Sequence, residues 1–144
     1  MWSMVRTRLH ASVAALPRQR WFLRAKFLVL LGALSWKMYW KSRTDTRVQA
    51  HLGDKHIVFQ IQTHGGRVCR HFLVSKQRIY SHWGAHSAPD LVISFADAVV
   101  GTRIMTANGK RMAFMQGMQN QELTLQGDLS LFAWYVELGS MLNQ

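Results

Sequence analysis

Seven histidines and a single cysteine are the residues of this 144-residue chain best suited to chemistry, and their spacing argues against it. His82 and His86 stand four positions apart, a spacing that would put two metal ligands on one helical turn. Trp83, Gly84 and Pro89 place them instead where a strand runs into a loop, and no cysteine pair or glutamate joins them at zinc-site spacing. His64-Gly65-Gly66 could form an oxyanion-hole loop, yet no Gly-x-Ser-x-Gly elbow follows it, so the triplet reads as a hairpin turn. Cys69 lies inside an apolar run with strand character, a poor setting for an exposed thiolate. Neither a phosphate-binding glycine loop nor a dinucleotide fingerprint occurs. The reading is of a non-catalytic protein with no metal and no cofactor.

The charge is informative because it is uneven. The net charge is +11, of which residues 1 to 47 hold +9, with ten Lys and Arg against Asp45 alone. Residues 48 to 144 hold only +2. A cationic arm beside apolar stretches points to a membrane surface or an acidic partner rather than to nucleic acid. A nucleic-acid binder would also need aromatic platforms among the basic residues, and the polar face of the first strand offers Gln60 and Gln62. One cysteine permits no internal disulfide, which fits a reducing, cytoplasmic setting.

Within the arm, Phe27 to Trp36 is a nearly unbroken apolar run flanked by basic residues. A spanning helix needs about 20 apolar residues, so this run is too short. The bulky residues after it do not suit signal cleavage. Two compatible readings remain: a helix packed on the domain behind it, or an interfacial helix lying on lipid. In the second, Trp21, Phe27, Trp36 and Trp40 enter the interface while Arg24, Lys26, Lys37 and Lys41 face anionic phosphates. Residues 1 to 20 hold four Arg and no acid, a composition shared with organellar presequences. Pro17 is expected to separate a first short helix from a second.

The body, residues 48 to 144, changes period as it goes. Ile57 to Thr63 alternates and reads as a strand with one buried face. Gly65-Gly66 turns it into a second strand, Val68 to Val74, and a third, Arg78 to Trp83, follows a polar turn. Leu91 to Phe95 is a fourth strand. Asp97 to Thr106 and Lys110 to Met118 carry helical spacing, Glu122 to Gln126 alternates again, and Asp128 caps a last helix. That helix is apolar nearly all round, so it must be buried on several sides, bind a greasy ligand or touch a membrane. The fold class is α+β, with a mostly antiparallel sheet of about five strands.

In order, Pro89-Asp90, Ser94-Phe95, Ala96-Asp97, Ala113-Phe114-Met115-Gln116-Gly117 and Leu123-Thr-Leu-Gln-Gly-Asp128 resemble the lipid-binding domain of the type-2 sterol carrier protein family. The resemblance covers about residues 48 to 142. It departs at Met118 to Gln121, which lengthens the interval between Gly117 and Gly127. It implies helices on one side of the sheet enclosing an apolar tunnel that holds a sterol, fatty acyl chain, phospholipid or isoprenoid quinone precursor. Leu91, Ile93, Phe95, Ile104, Met112, Met115, Phe132 and Val136 are the candidate lining residues, each of which is equally at home in an ordinary core. The expected function is intracellular lipid binding at a membrane surface. The alternative is an accessory module, without ligand, that docks on a partner enzyme through its apolar helices.

Overall fold

The computed structural model describes residues 2–142, with side chains from Trp21 to Leu142. A long helix, α1 (Trp2–Thr44), leads into α2 (Thr46–Leu52), whose first turn is capped by Asp45 accepting the Arg47 N–H. Strands β1 (Ile57–Thr63), β2 (Cys69–Ser75), β3 (Arg78–Trp83) and β4 (Leu91–Phe95) follow. Helices α3 (Ala98–Met105) and α4 (Lys110–Gln119), strand β5 (Leu123–Gly127) and helix α5 (Ser130–Leu142) complete the chain. The break expected at Pro17 does not occur, because α1 is helical on both sides of it. Proline forfeits one backbone hydrogen bond, but its fixed φ of about −65° lies in the helical range. The presequence-like composition of residues 1 to 20 concerns side chains outside those described.

The sheet order is β3-β2-β1-β4-β5. Three pairings are antiparallel, and the fourth, β1 with β4, is parallel. Cross-strand registers set Phe59 beside Phe72 and Leu91, Ile61 beside Ile93, and Phe95 beside Leu123, so these side chains share one face. Helices α1, α3, α4 and α5 cover that face: Phe59 meets Trp134 and Tyr135 of α5, and Phe95 meets Phe27 of α1, Phe114 of α4 and Gly101 of α3. The opposite face is covered too. To reach β4 from the edge strand β3, residues 84–90 cross β2 and β1, and the His86 N–H bonds the Gln60 side-chain oxygen. Gln60, Val92 and Ser94 are therefore buried, and Gln60, Gln62 and Ser94 form a hydrogen-bonded ladder across β1 and β4. This corrects the view of Gln60 as part of an open polar face. A buried amide needs its partners, and the ladder and the crossing loop supply them.

Helix α1 is part of the core. Phe27, Leu31 and Met38 are fully buried along one stripe. At its end, buried Ser42 accepts the Ile79 N–H (3.2 Å), and its carbonyl accepts Arg78 (2.9 Å), which fastens α1 to β3. Helix α5 is enclosed on several sides, as its composition requires. Trp134 stacks on His51 of α2, with rings 5.3 Å apart, and donates its indole N–H to the His51 carbonyl (3.0 Å).

Candidate functional site

Four helices and the α3–α4 link wall a cavity of about 530 Å³. Helix α1 gives Leu30, Ala33, Leu34 and Lys37, an i, i+3, i+4, i+7 set that occupies one helical face. Helix α5 gives Tyr135, Val136, Gly139 and Leu142. Met105 and Asn108 lie in the wall at the end of α3 and in the link after it, and Lys110 and Phe114 of α4 stand one turn apart. The lining is mostly apolar, and among the described residues its only charged side chains are the two lysines. A space of this size and character suits an apolar ligand with a few polar groups to orient it.

The electrostatics of the wall are unbalanced. Burial, with Lys37 nearby, pulls the Lys110 ammonium below its ordinary pKa. Its Nζ lies 4.0 Å from where a side chain on Gly139 would begin. Tyr135 is only 4% exposed, and burial pushes its hydroxyl well above the usual tyrosine range.

The candidate lining residues separate. Val136 lines the cavity. Leu91, Ile93, Phe95 and Ile104 are packed in the core beneath the helices. Phe132 is half-buried against Phe114, with rings 5.3 Å apart. Met112 and Met115 are 61% and 47% exposed and point away from the cavity wall. Phe114 and Gly117 take the inward face of α4, which turns both methionines out. Their assignment to the lining is corrected accordingly. The residues inserted before β5 extend α4 to Gln119, at the end of that helix remote from the cavity.

The residues assigned to membrane contact also divide. Trp21, Trp36 and Trp40 are exposed, the first two by 70% and 65%, and Lys26 is exposed beside them. Phe27 is fully buried with its ring on Phe95, so its place at an interface is corrected. Arg24 is half-buried, Lys37 lines the cavity, and Lys41 pairs with Asp45 (3.6 Å). Phe22, Lys26, Val29, Ala33, Trp36, Trp40 and Arg43 recur at steps of four and three, which makes one outward stripe of α1. Ala33 belongs both to this stripe and to the cavity wall.

Of the groups first weighed for chemistry, His64 and His82 are exposed and Cys69 is half-buried. His71 bonds the Gly84 carbonyl (2.9 Å) and His86 accepts the Ala88 N–H (3.0 Å). Among the described residues no group of three or more His, Cys, Asp or Glu is placed to hold a metal. Burial pushes the Cys69 thiol up. No described helix is long and apolar enough to cross a membrane.

This sheet order with its one-sided helical cover is the fold of the type-2 sterol carrier protein domain. The UbiJ-SCP2 ubiquinone synthesis protein superposes with a TM-score of 0.57 at 17% identity, over 84% of this chain and 98% of its own. A conserved protein of Thermus thermophilus, described as possibly a sterol carrier protein, gives 0.51 at 15% identity, over 74% and 80%. A sec-alkyl sulfatase gives 0.50 at 8% identity, and there the match occupies 14% of the sulfatase chain. At the level of sequence, no family model and no curated protein matches the chain.

Proposed function

We propose that the protein is a non-catalytic lipid carrier, holding one apolar ligand among α1, α4 and α5 and working against an anionic membrane surface in the cytoplasm. The observation that carries this reading is the contiguity of cavity and stripe: Ala33 belongs to both, and exposed Trp36 neighbours Lys37 of the wall. A ligand leaving a bilayer would pass from the interface to the cavity with little apolar surface crossing water, at a saving of about 25 cal/mol per Å². Tryptophan and lysine on the stripe suit the headgroup level and anionic phosphates. The fold supports a carrier role, and likeness to a ubiquinone synthesis protein makes an isoprenoid quinone precursor one ligand to test beside fatty acids, phospholipids and sterols.

The test is solvent extraction of purified full-length protein followed by mass spectrometry, with titration of a fluorescent fatty alcohol. Co-purifying lipid and binding at or below micromolar concentration, roughly −8 kcal/mol, are the expected results. A folded protein that takes no apolar probe would exclude the carrier and favour the second reading. In that reading the exposed stripe of α1 docks the domain, without ligand, on a partner enzyme.

A further inference from the structure

Resting on the carrier reading, we infer that the ligand is a long-chain lipid with an anionic head, a carboxylate or phosphate, and that Lys37, Lys110 and the start of α4 receive that head while Tyr135 orients it.

Three independent features of the wall converge. The first is charge: Lys37 from α1 and Lys110 from α4 both line the cavity, and among the described residues no carboxylate does. Neither lysine has an ion-pair partner among the described residues. Lys110 is half-buried and Lys37 is exposed at the rim, and the repulsion between their ammonium groups is relieved by an anion between them.

The second feature is the start of α4. Its N-cap, Gly109, offers no side chain to the free N–H groups, and its first turn holds Lys110 and Arg111 with no acid. The first backbone bond there runs from the Ala113 N–H to the Gly109 carbonyl (2.9 Å), which leaves the N–H groups of Lys110, Arg111 and Met112 ahead of it. Cations at a helix N-terminus oppose the helix dipole, whereas an anion is favoured there. Asn108 and Lys110 put this helix end in the cavity wall.

The third is the tyrosine in the wall. Tyr135 is almost wholly enclosed, lines the cavity and makes no hydrogen bond with any described residue. Its ring is held between Phe59 and Phe114, at 5.3 and 6.1 Å. The Tyr135 hydroxyl can donate to a carboxylate or phosphate oxygen held in the cavity.

The experiment uses the delipidated full chain and displacement of a fluorescent long-chain alcohol by oleyl alcohol, oleate, oleyl phosphate and inorganic phosphate. Oleate or oleyl phosphate should outbind oleyl alcohol by about tenfold or more, the range of a charged hydrogen bond. The stronger of the two identifies the head. The Lys37→Met, Lys110→Met pair should erase that preference while keeping the oleyl alcohol affinity, and the Lys37→Arg, Lys110→Arg pair should restore it. Equal binding of charged and neutral chains, or a preference that survives in the methionine pair, overturns the inference and leaves the carrier intact. Inorganic phosphate competing as well as oleyl phosphate overturns it in favour of a soluble anion. Failure of oleyl alcohol and both anionic chains to bind overturns the carrier reading itself. If the methionine pair does not fold, Tyr135→Phe decides: it should weaken the anionic chains and spare the alcohol, and an unchanged ratio counts against the inference.

Discussion

The ring of Phe27 meets the ring of Phe95 edge-on, with centroids 6.0 Å apart and planes at 85°. Gly101 of α3 completes the contact, since a side chain there would begin 2.8 Å from the Phe27 ring. The cationic arm and the sheet are thus joined through the middle of the core. Removing α1 would strip Phe27, Leu31 and Met38 from that core along with one wall of the cavity.

Phe27→Ala is accordingly expected to lower stability by about 3–5 kcal/mol, the cost of emptying a packed phenylalanine site. Urea denaturation of the full chain measures it. A loss below about 1 kcal/mol would mean that α1 rests on the domain only loosely.

Gly139→Leu should close the cavity without disturbing the fold. The space beyond Gly139 is open except for Lys110, and replacing a helical glycine gains up to about 1 kcal/mol of helix propensity. The expected outcome is an unchanged or raised melting temperature together with at least tenfold weaker binding of oleyl alcohol. Full binding by a stable variant would place the ligand elsewhere.

Co-sedimentation of the full chain with vesicles should show a preference for anionic over neutral lipid that declines with salt, because the Debye length falls from about 10 Å at 0.1 M to 3 Å at 1 M. Trp36→Ala with Trp40→Ala should remove the salt-resistant remainder, since both side chains are exposed and their loss spares the core. Equal pelleting with both vesicle types would sink the membrane role.

Lys110 also sets a pH dependence. Burial and Lys37 lower its pKa in the folded state, so in the window just below 10.5 the unfolded chain binds the proton more strongly. The contribution of this group to stability therefore rises with pH through that window. Bound oleate should reverse the sign by favouring the charged lysine, and its affinity should fall as pH rises through the lowered pKa. Lys37 lines the same cavity and Tyr135 faces it from α5, so the control is Lys110→Met, which should flatten the profile. An unaltered profile in that variant would assign the effect to another group.

Much of this fold is legible in the sequence. Ile57–Thr63, Arg78–Trp83 and Leu91–Phe95 lie where alternation and turn residues put them, because the apolar residues facing the helices, such as Leu91, Ile93 and Phe95, recur at every second position. The parallel pairing of β1 with β4 leaves none, since it depends on residues 84–90 crossing the sheet. The cavity leaves a fainter mark. Met112 and Met115 suggested lining by type, but α4 is apolar on more than one side and its sequence does not say which side faces in. The α1 wall was hidden inside a run that read as membrane-seeking. Its signal was the spacing of Leu30, Ala33, Leu34 and Lys37, matched by Tyr135, Gly139 and Leu142 across the cavity.

The contact of Phe27 with Phe95 and Gly101 also sets a timetable for synthesis. These partners emerge from the ribosome roughly 70 residues after Phe27, which is several seconds at about 5–20 residues per second. For that interval the nascent helix carries Phe27 and Leu31 with nothing to cover them, on the same rod as Phe22, Val29 and Trp36. A bilayer or a chaperone met during those seconds would shield both sides of the helix. Completion of β4 and α3 then withdraws one side into the core and leaves the other where it was.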